Sequence, residues 1–287
     1  MADPVVVGVD GSARSLAAVE TAAGEAALRR RRLRIVHALV WVPFGMDMDP
    51  AVVPPVHQSH WVQAESCVAE AQRIAAERAP EVDVTAEVIP GRPATVLLHE
   101  SEHAALLVLG DHGLGGVAEL MIGSVALQTA THGRCPVLVA RGTKRADGPV
   151  VVGVDGSASS SEAVRFAADE AAMRGAELVT LHAWNGGDDT ELGAELPMSY
   201  DTWSGEDEER RVLAEAVAGI GAKHPDLRVR RQVINGSARG YLTAWSRTAQ
   251  LVVVGSRGHG GFAGLLLGSV GHHLLHHAAC PVAVVRP

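Results

Sequence analysis

The string Val5-Val6-Val7-Gly8-Val9-Asp10-Gly11-Ser12 occurs twice, returning 145 positions later as Val150-Val151-Val152-Gly153-Val154-Asp155-Gly156-Ser157. Later landmarks keep the same offset. His37-Ala38 returns as His182-Ala183, Gly91 as Gly236, and Cys135-Pro136-Val137 as Cys280-Pro281-Val282. The spacing Gly110-x2-Gly113-x9-Gly123-Ser124 returns as Gly255-x2-Gly258-x9-Gly268-Ser269. Solenoid repeats run to about 20–50 residues, whereas a period near 145 matches a whole domain. The chain therefore reads as two tandem copies of one domain, over residues 1–143 and 148–287, joined by the polar segment 141–148.

Within each copy, short apolar runs alternate with amphipathic stretches. The run 4–9 is β-branched and too short for a helix, which predicts a strand buried on both faces of a parallel sheet. Ser12 is placed to cap a helix over 13–31. The remaining predicted strands of the first copy are 33–40, 84–89, 105–110 and 136–140, with helices over 57–79, 94–102 and 123–133. The second copy repeats this order, with strands near 150–155, 177–184, 228–234, 251–255 and 282–286. Such alternation builds βαβ units. The expected fold class is α/β: two doubly wound, Rossmann-like domains, each a five-stranded parallel sheet flanked by helices. Ligands of such sheets sit at the carboxyl ends of the strands, where the strand order reverses. Asp10, Gly110, Asp155 and Gly255 all fall at predicted strand ends.

Composition narrows the partners. Aromatic residues are only 3% of the chain, so Val, Leu, Ile and Ala must build the cores. A formal charge of −8 argues against a general nucleic-acid partner. The one dense basic cluster, Arg29 to Arg32, is expected as the solvated last turn of a helix. Three cysteines without a CxxC spacing imply neither disulfides nor zinc and suit a reducing compartment. No apolar run is long enough for a membrane span, so the expected location is cytoplasmic.

The segment from Gly255 to Gly261 follows a predicted strand and leads to a helix starting near Gly268-Ser269. Glycines let backbone amides approach a ligand, and free N–H groups at a helix start suit an anion. The spacing lacks the Gly-Lys-Ser/Thr of a P-loop, and it does not follow the first strand as a dinucleotide fingerprint would. The plainer reading is that these glycines only make turns. Asp10 and Asp155 are open to two readings as well: ligands for ribose, adenine or a phosphate-bound metal, or Asx-turns beginning a helix.

The combination of a V-G-V-D-G-S opening with G-x2-G-x9-G-[S/T] resembles the universal stress protein family, in its tandem, ATP-binding form. The resemblance covers almost the whole chain. It implies one ATP site from Gly8, Val9, Asp10, Gly110, Gly113, Gly123, Ser124 and Val125. It implies a second from Gly153, Val154, Asp155, Gly255, Gly258, Gly268, Ser269 and Val270, with Arg257 nearby. Backbone near His37 and His182 would face the adenine. The cofactor implied is ATP, with or without Mg. Family members pair through their fifth strands, so 137–140 and 282–285 are expected to pair as an internal pseudo-dimer, alongside a homodimer and an unidentified regulatory protein partner.

The copies differ at the cradle. Ser256 and Arg257 stand where the first copy has Asp111 and His112, and Gly264 where it has Glu119. Two added carboxylates and a lost guanidinium are expected to weaken the first site. At a few ångströms in a dielectric near 20, each unit charge is worth up to ~4 kcal/mol before screening. Elsewhere, His272 and His276 have a spacing that suits Zn or Ni, but no carboxylate completes a site and no metal site is read there; the cluster His272, His273, His276 and His277 reads as a polar helix face. The five tryptophans could suggest a stacking platform, but most read as packing residues at strand ends and under loops. Segments 43–55 and 185–205 read equally as lids or as long connections. No nucleophile–base set can be identified. The leading expectation is an ATP-binding stress or dormancy regulator. The alternatives are a slow ATPase or nucleotide-dependent transferase, and an interaction module with vestigial loops.

Overall fold

The computed structural model describes residues 3–40, 55–114, 122–184, 202–258 and 267–287. The chain divides into two compact units, 1–141 and 142–287. The first unit runs β1 (Val5–Val9), α1 (Ala13–Arg29), β2 (Leu33–Leu39), α2 (Pro55–Arg78), β3 (Val84–Pro90), α3 (Pro93–Glu100), β4 (Leu106–Gly110), α4 (Ser124–His132) and β5 (Val137–Ala140). A short 3-10 turn, Ser101–His103, follows α3. The second runs β6 (Val150–Val154), α5 (Ala158–Arg174), β7 (Leu178–Trp184), α6 (Thr202–Ala216), α7 (Ile220–Lys223), β8 (Val229–Asn235), α8 (Ala238–Trp245), β9 (Leu251–Gly255), α9 (Ser269–His277) and β10 (Val282–Val285). Each unit is an α/β fold of the Rossmann type.

Within the first unit the strands pair in parallel in the order β3-β2-β1-β4-β5, and in the second β8-β7-β6-β9-β10. Val7 pairs with Ile35 on one side and Val108 on the other; Val152 pairs with Thr180 and Val253. The chain moves outward from β1 through β2 to β3, then returns past β1 to β4. That reversal opens a crevice between the ends of β1 and β4, and the same reversal opens one between β6 and β9.

The first strands explain why the sheets are buried on both faces. Val5, Val6, Val7, Val150, Val151 and Val152 are all fully buried. Burying a valine or leucine side chain contributes about 2 kcal/mol. α1 lays Ala18, Ala22 and Ala26 on the sheet and α5 lays Ala163, Ala167 and Ala171, all fully buried. Small side chains at this spacing bring helix and sheet close, which sets where each helix start meets the crevice.

The structure departs from the sequence expectations at several places. Arg29 is not solvated: its guanidinium pairs with the buried Glu25 one turn back, and Arg174 pairs with Glu170 in the same way at 2.9 Å. Of the basic cluster only Arg30 is exposed, and it ends α1 in the left-handed region at φ 51° where α5 ends on Gly175. The second unit also breaks its second helical stretch, the counterpart of α2, at Gly219, φ 86°, producing the extra short α7. Helix α6 starts at Thr202, inside the segment 185–205 expected to be irregular; the rest of that segment, most of 43–55, Trp41, Glu119 and Gly264 lie outside the described residues.

Candidate functional site

Each crevice is formed by a strand-end carboxylate, a helix start and a glycine loop. Asp10 closes β1. Its Oδ1 accepts from the Ser12 amide at 3.0 Å, and its Oδ2 accepts from the Leu114 amide at 3.0 Å. The first bond is an Asx-turn; the second ties β1 to the loop leaving β4 across 104 positions of chain. Burial pushes the Asp10 carboxyl up, but hydrogen bonds from Ser12, Leu114 and Ser15 outweigh it and hold the group below its ordinary value. In the second unit Asp155 Oδ1 accepts from the Ser157 amide at 3.0 Å and its hydroxyl at 2.6 Å. Ser12 and Ser157 are also the N-caps of α1 and α5, accepting from Ser15 and Ser160 amides at 3.1 Å.

The glycines hold the loop against this carboxylate. A Cβ on Gly113 would fall on Asp10 Oδ2, and one on Gly258 would fall on Asp155 Oδ2. At Gly110 it would stand 2.9 Å from the Arg14 carbonyl oxygen, and at Gly255 2.8 Å from the Ser159 carbonyl carbon. A side chain at Gly110 or Gly255 would force strand end and helix start apart, and one at Gly113 or Gly258 would displace the carboxylate from the loop. Each loop then returns to its strand exit: the Gly123 amide donates to the Asp111 carbonyl at 2.7 Å, and the Gly268 amide to the Ser256 carbonyl at 2.8 Å.

Gly123 and Gly268 are the N-caps of α4 and α9, and neither helix has a side-chain cap bond. The first amides of each helix are left to a ligand or water, at the positive end of the helix dipole. Ser124 and Ser269 add hydroxyls at the same point.

The resulting cavities are similar in size, about 480 Å³ in the first unit and about 420 Å³ in the second. Cavities of this size are typical of small-molecule sites. Gly8, Val9, Asp10, Gly110, Gly113, Gly123, Ser124 and Val125 all line the first, and Gly153, Val154, Asp155, Gly255, Arg257, Gly258, Gly268, Ser269 and Val270 line the second. Apolar walls come from Val36, Ala38 and Leu97 in one and Leu181 and Leu242 in the other.

His37 and His182 do not line the cavities; their strand neighbours do, because successive strand residues face opposite sides. His182 Nδ1 donates to the Val154 carbonyl at 2.7 Å, and Nε2 lies 2.5 Å from a Glu209 carboxylate oxygen on α6. Burial lowers the pKa of His37, against the opposing pull of the Val9 carbonyl and the Asp10 charge. Cys67 on α2 lies beside Gly11; burial first, then the Asp10 charge, push its thiol up to about 11. A thiol so held is a poor nucleophile at neutral pH.

The electrostatic contrast between cradles is smaller than the sequence implied. Asp111 is buried and absent from the cavity wall, and its Oδ1 lies 3.8 Å from Arg14 Nε and 3.0 Å from His112 Nδ1. Arg14 has no cationic counterpart, since Ser159 takes its place. The first unit therefore supplies its own cation against the extra carboxylate. In the second unit Ser256 is buried, and its hydroxyl has no hydrogen-bond partner among the described residues. Arg257 is exposed at the cavity edge. Sequence reasoning missed Arg14; aligning the helix starts, Arg14 against Ser159, carries the signal.

Comparison with known proteins agrees with this architecture. Residues 1–141 and 148–286 each match the Universal stress protein family. A universal stress protein of Mycolicibacterium smegmatis is 35% identical over 99% of this chain and 97% of its own length. Another, from Mycobacterium tuberculosis, is 37% identical over 98% of this chain and 96% of its own. The crystal structure of a universal stress protein from Archaeoglobus fulgidus superposes with a TM-score of 0.72 over 99% of this chain and 98% of that one; at 18% identity it speaks for the fold alone.

Proposed function

This chain belongs to the universal stress protein family, and from that premise we propose that each unit binds one ATP, with or without Mg, in the cavity at its strand reversal. The triphosphate lies on the free amides of α4 and α9, and the adenine against the apolar wall. The ribose reaches the strand-end carboxylate, Asp10 or Asp155. One observation carries the reading: in both units a glycine without room for a side chain presses the loop onto that carboxylate, directly facing an uncapped helix start. This is a backbone cradle for an anion with a hydroxyl-bearing arm.

In this proposal the protein is a cytoplasmic regulator. ATP stabilises one conformation or association state, with a second copy or a regulatory partner, by no more than its difference in affinity between the states. Native mass spectrometry of the purified chain tests it: one or two adenine nucleotides per chain are expected. A chain that carries none, and whose melting temperature does not move with saturating ATP, overturns the reading, because a ligand of the folded state must stabilise it. Turnover well above trace levels, abolished by Ser269→Ala, moves the conclusion to an enzyme.

A further inference from the structure

Strand β8 stands at one end of its sheet, and no described strand pairs with its outer side. It gives the Arg228 carbonyl to the Leu178 amide at 2.9 Å and the Gly236 amide to the Trp184 carbonyl at 3.2 Å. Along a parallel ladder, alternate residues bond to the same neighbour, so the even-numbered ones face β7. Val229, Arg231, Val233 and Asn235 therefore present their N–H and C=O groups to the open side.

A cavity of about 810 Å³ runs along this edge. Arg231, Gln232, Val233 and Ile234 all line it. Successive strand residues face opposite sides of a sheet, so a hollow that touches four in a row lies at the strand's edge. Arg210 and Leu213 of α6 flank it on one side, and Tyr241 and Trp245 of α8 on the other.

The first unit closes the same place. There β3 gives the Asp83 carbonyl to the Leu33 amide and the Gly91 amide to the Leu39 carbonyl, so its outward row is Val84, Ala86, Val88 and Pro90. Proline has no N–H to offer, which blunts an edge. Asn235 stands in its place in the second unit and keeps the donor. On the α3 side of the first unit, Arg34 bonds to Glu87 at 2.8 Å and to Glu100 at 2.6 Å. The same three positions hold Val179, Gln232 and Trp245 in the second unit. An ionic seal has become an aromatic wall beside an open backbone row.

We propose that β8 accepts an extended peptide segment of another protein as an added strand, one that alternates acidic and apolar side chains. Main-chain hydrogen bonds supply the affinity, and the flanking side chains supply the choice. Arg231 and Arg210 are the charged residues among those described along the cavity, and both are cations. The peptide's carboxylates fall on their side, and its apolar groups on that of Tyr241 and Trp245. A second copy of this chain is the poorer occupant, because β8 against β8 sets Arg230 and Arg231 of one copy beside those of the other. This surface is independent of the nucleotide reading.

Fluorescence anisotropy of a labelled peptide that alternates glutamate and valine over seven residues, the length of β8, titrated with the full-length chain, tests it. Saturable binding is expected, and none for the same peptide with lysine in place of glutamate. Asn235→Pro, which copies the residue the first unit already holds at Pro90, should weaken binding about fivefold to tenfold, the worth of one main-chain hydrogen bond, with the melting temperature unchanged. Arg231→Glu, at an exposed position, should weaken it at least about tenfold, and that difference should shrink in high salt. Failure of the glutamate peptide to bind overturns the proposal, as does equal binding of the lysine peptide or unchanged binding in both variants. So does a dimer, seen by analytical ultracentrifugation, that Asn235→Pro abolishes, since the edge would then belong to a second copy.

Discussion

The two units share a backbone and differ in how charge is placed behind it. In the first, the buried Asp111 stands 3.0 Å from His112, which lines the cavity, and 3.8 Å from the exposed Arg14. In the second, the same three places hold Ser159, Ser256 and Arg257, and the single guanidinium stands exposed at the cavity edge. A similar exchange occurs under the second strand. Burial lowers the pKa of His37 against the pull of the Val9 carbonyl and the Asp10 charge, whereas His182 sits between the equivalent Val154 carbonyl and Glu209 of α6. Backbone geometry is thus common property of the repeat, and electrostatics is where each copy has been adjusted. The lesson is that a charge count along aligned positions overstates the contrast unless the partner of each charge is known.

The largest test removes the shared part. Gly113→Ala and Gly258→Ala each set a methyl on the strand-end carboxylate, and each should weaken nucleotide binding in its own unit by ~10²-fold for a displacement near 1 Å. Isothermal titration should show stoichiometry falling from two to one for either variant. Loss of both sites from one substitution would break the picture of two self-contained cradles.

Next come the helix starts. A Cβ on Gly268 would meet Arg257 Cα at 3.6 Å, an ordinary contact, whereas one on Gly123 would stand 3.2 Å from His112 Cα. Gly268→Asp therefore acts through its charge, and Gly123→Asp through both charge and crowding. With the second site the tighter, Gly268→Asp should cost the higher-affinity phase of a nucleotide titration about tenfold or more, ~1.4 kcal/mol. Equal losses from the two variants refute the asymmetry.

Asp111→Ser sharpens it further. It releases Arg14 from its carboxylate and should tighten the first site several-fold, by up to ~1 kcal/mol once exposure and salt screening are counted. The gain should shrink in high salt. An unchanged affinity would show that the cluster is electrically silent toward the cavity.

Smaller effects concern stability. Asp10 is held below its ordinary value of 3.8, so the folded first unit binds fewer protons than the unfolded chain. Its contribution is complete above that value and drains away as pH falls through the lower folded one. Asp10→Asn should lower the urea midpoint at pH 7, and the deficit should narrow near pH 3. Last, Arg30→Gly gives α1 the ending that α5 already has, and should stabilise the chain by about 1 kcal/mol, read as a rise in melting temperature.

Much of this was legible in the sequence, for reasons tied to particular residues. The doubled Val-Val-Val-Gly-Val-Asp run can be only a strand buried on both faces, and the structure buries it. The glycines drew attention to the loop because their spacing recurs. What the letters did not carry was direction. They could not tell that His37 points away from the cavity while Val36 and Ala38 face it, since that depends on strand parity. Nor could they show that Arg14, 97 positions before Asp111, lies beside it, or that Arg29 turns inward to Glu25. Long-range pairing is decided by packing, and local pattern is blind to it.

The walls of each hollow come from a single repeat, with no described residue borrowed from the other. Duplication of such a self-sufficient unit leaves each copy free to drift to its own threshold while the other keeps working. If the proposed nucleotide binding holds with two affinities, such a chain would report over a wider span of concentration than either half alone, without the halves having to communicate.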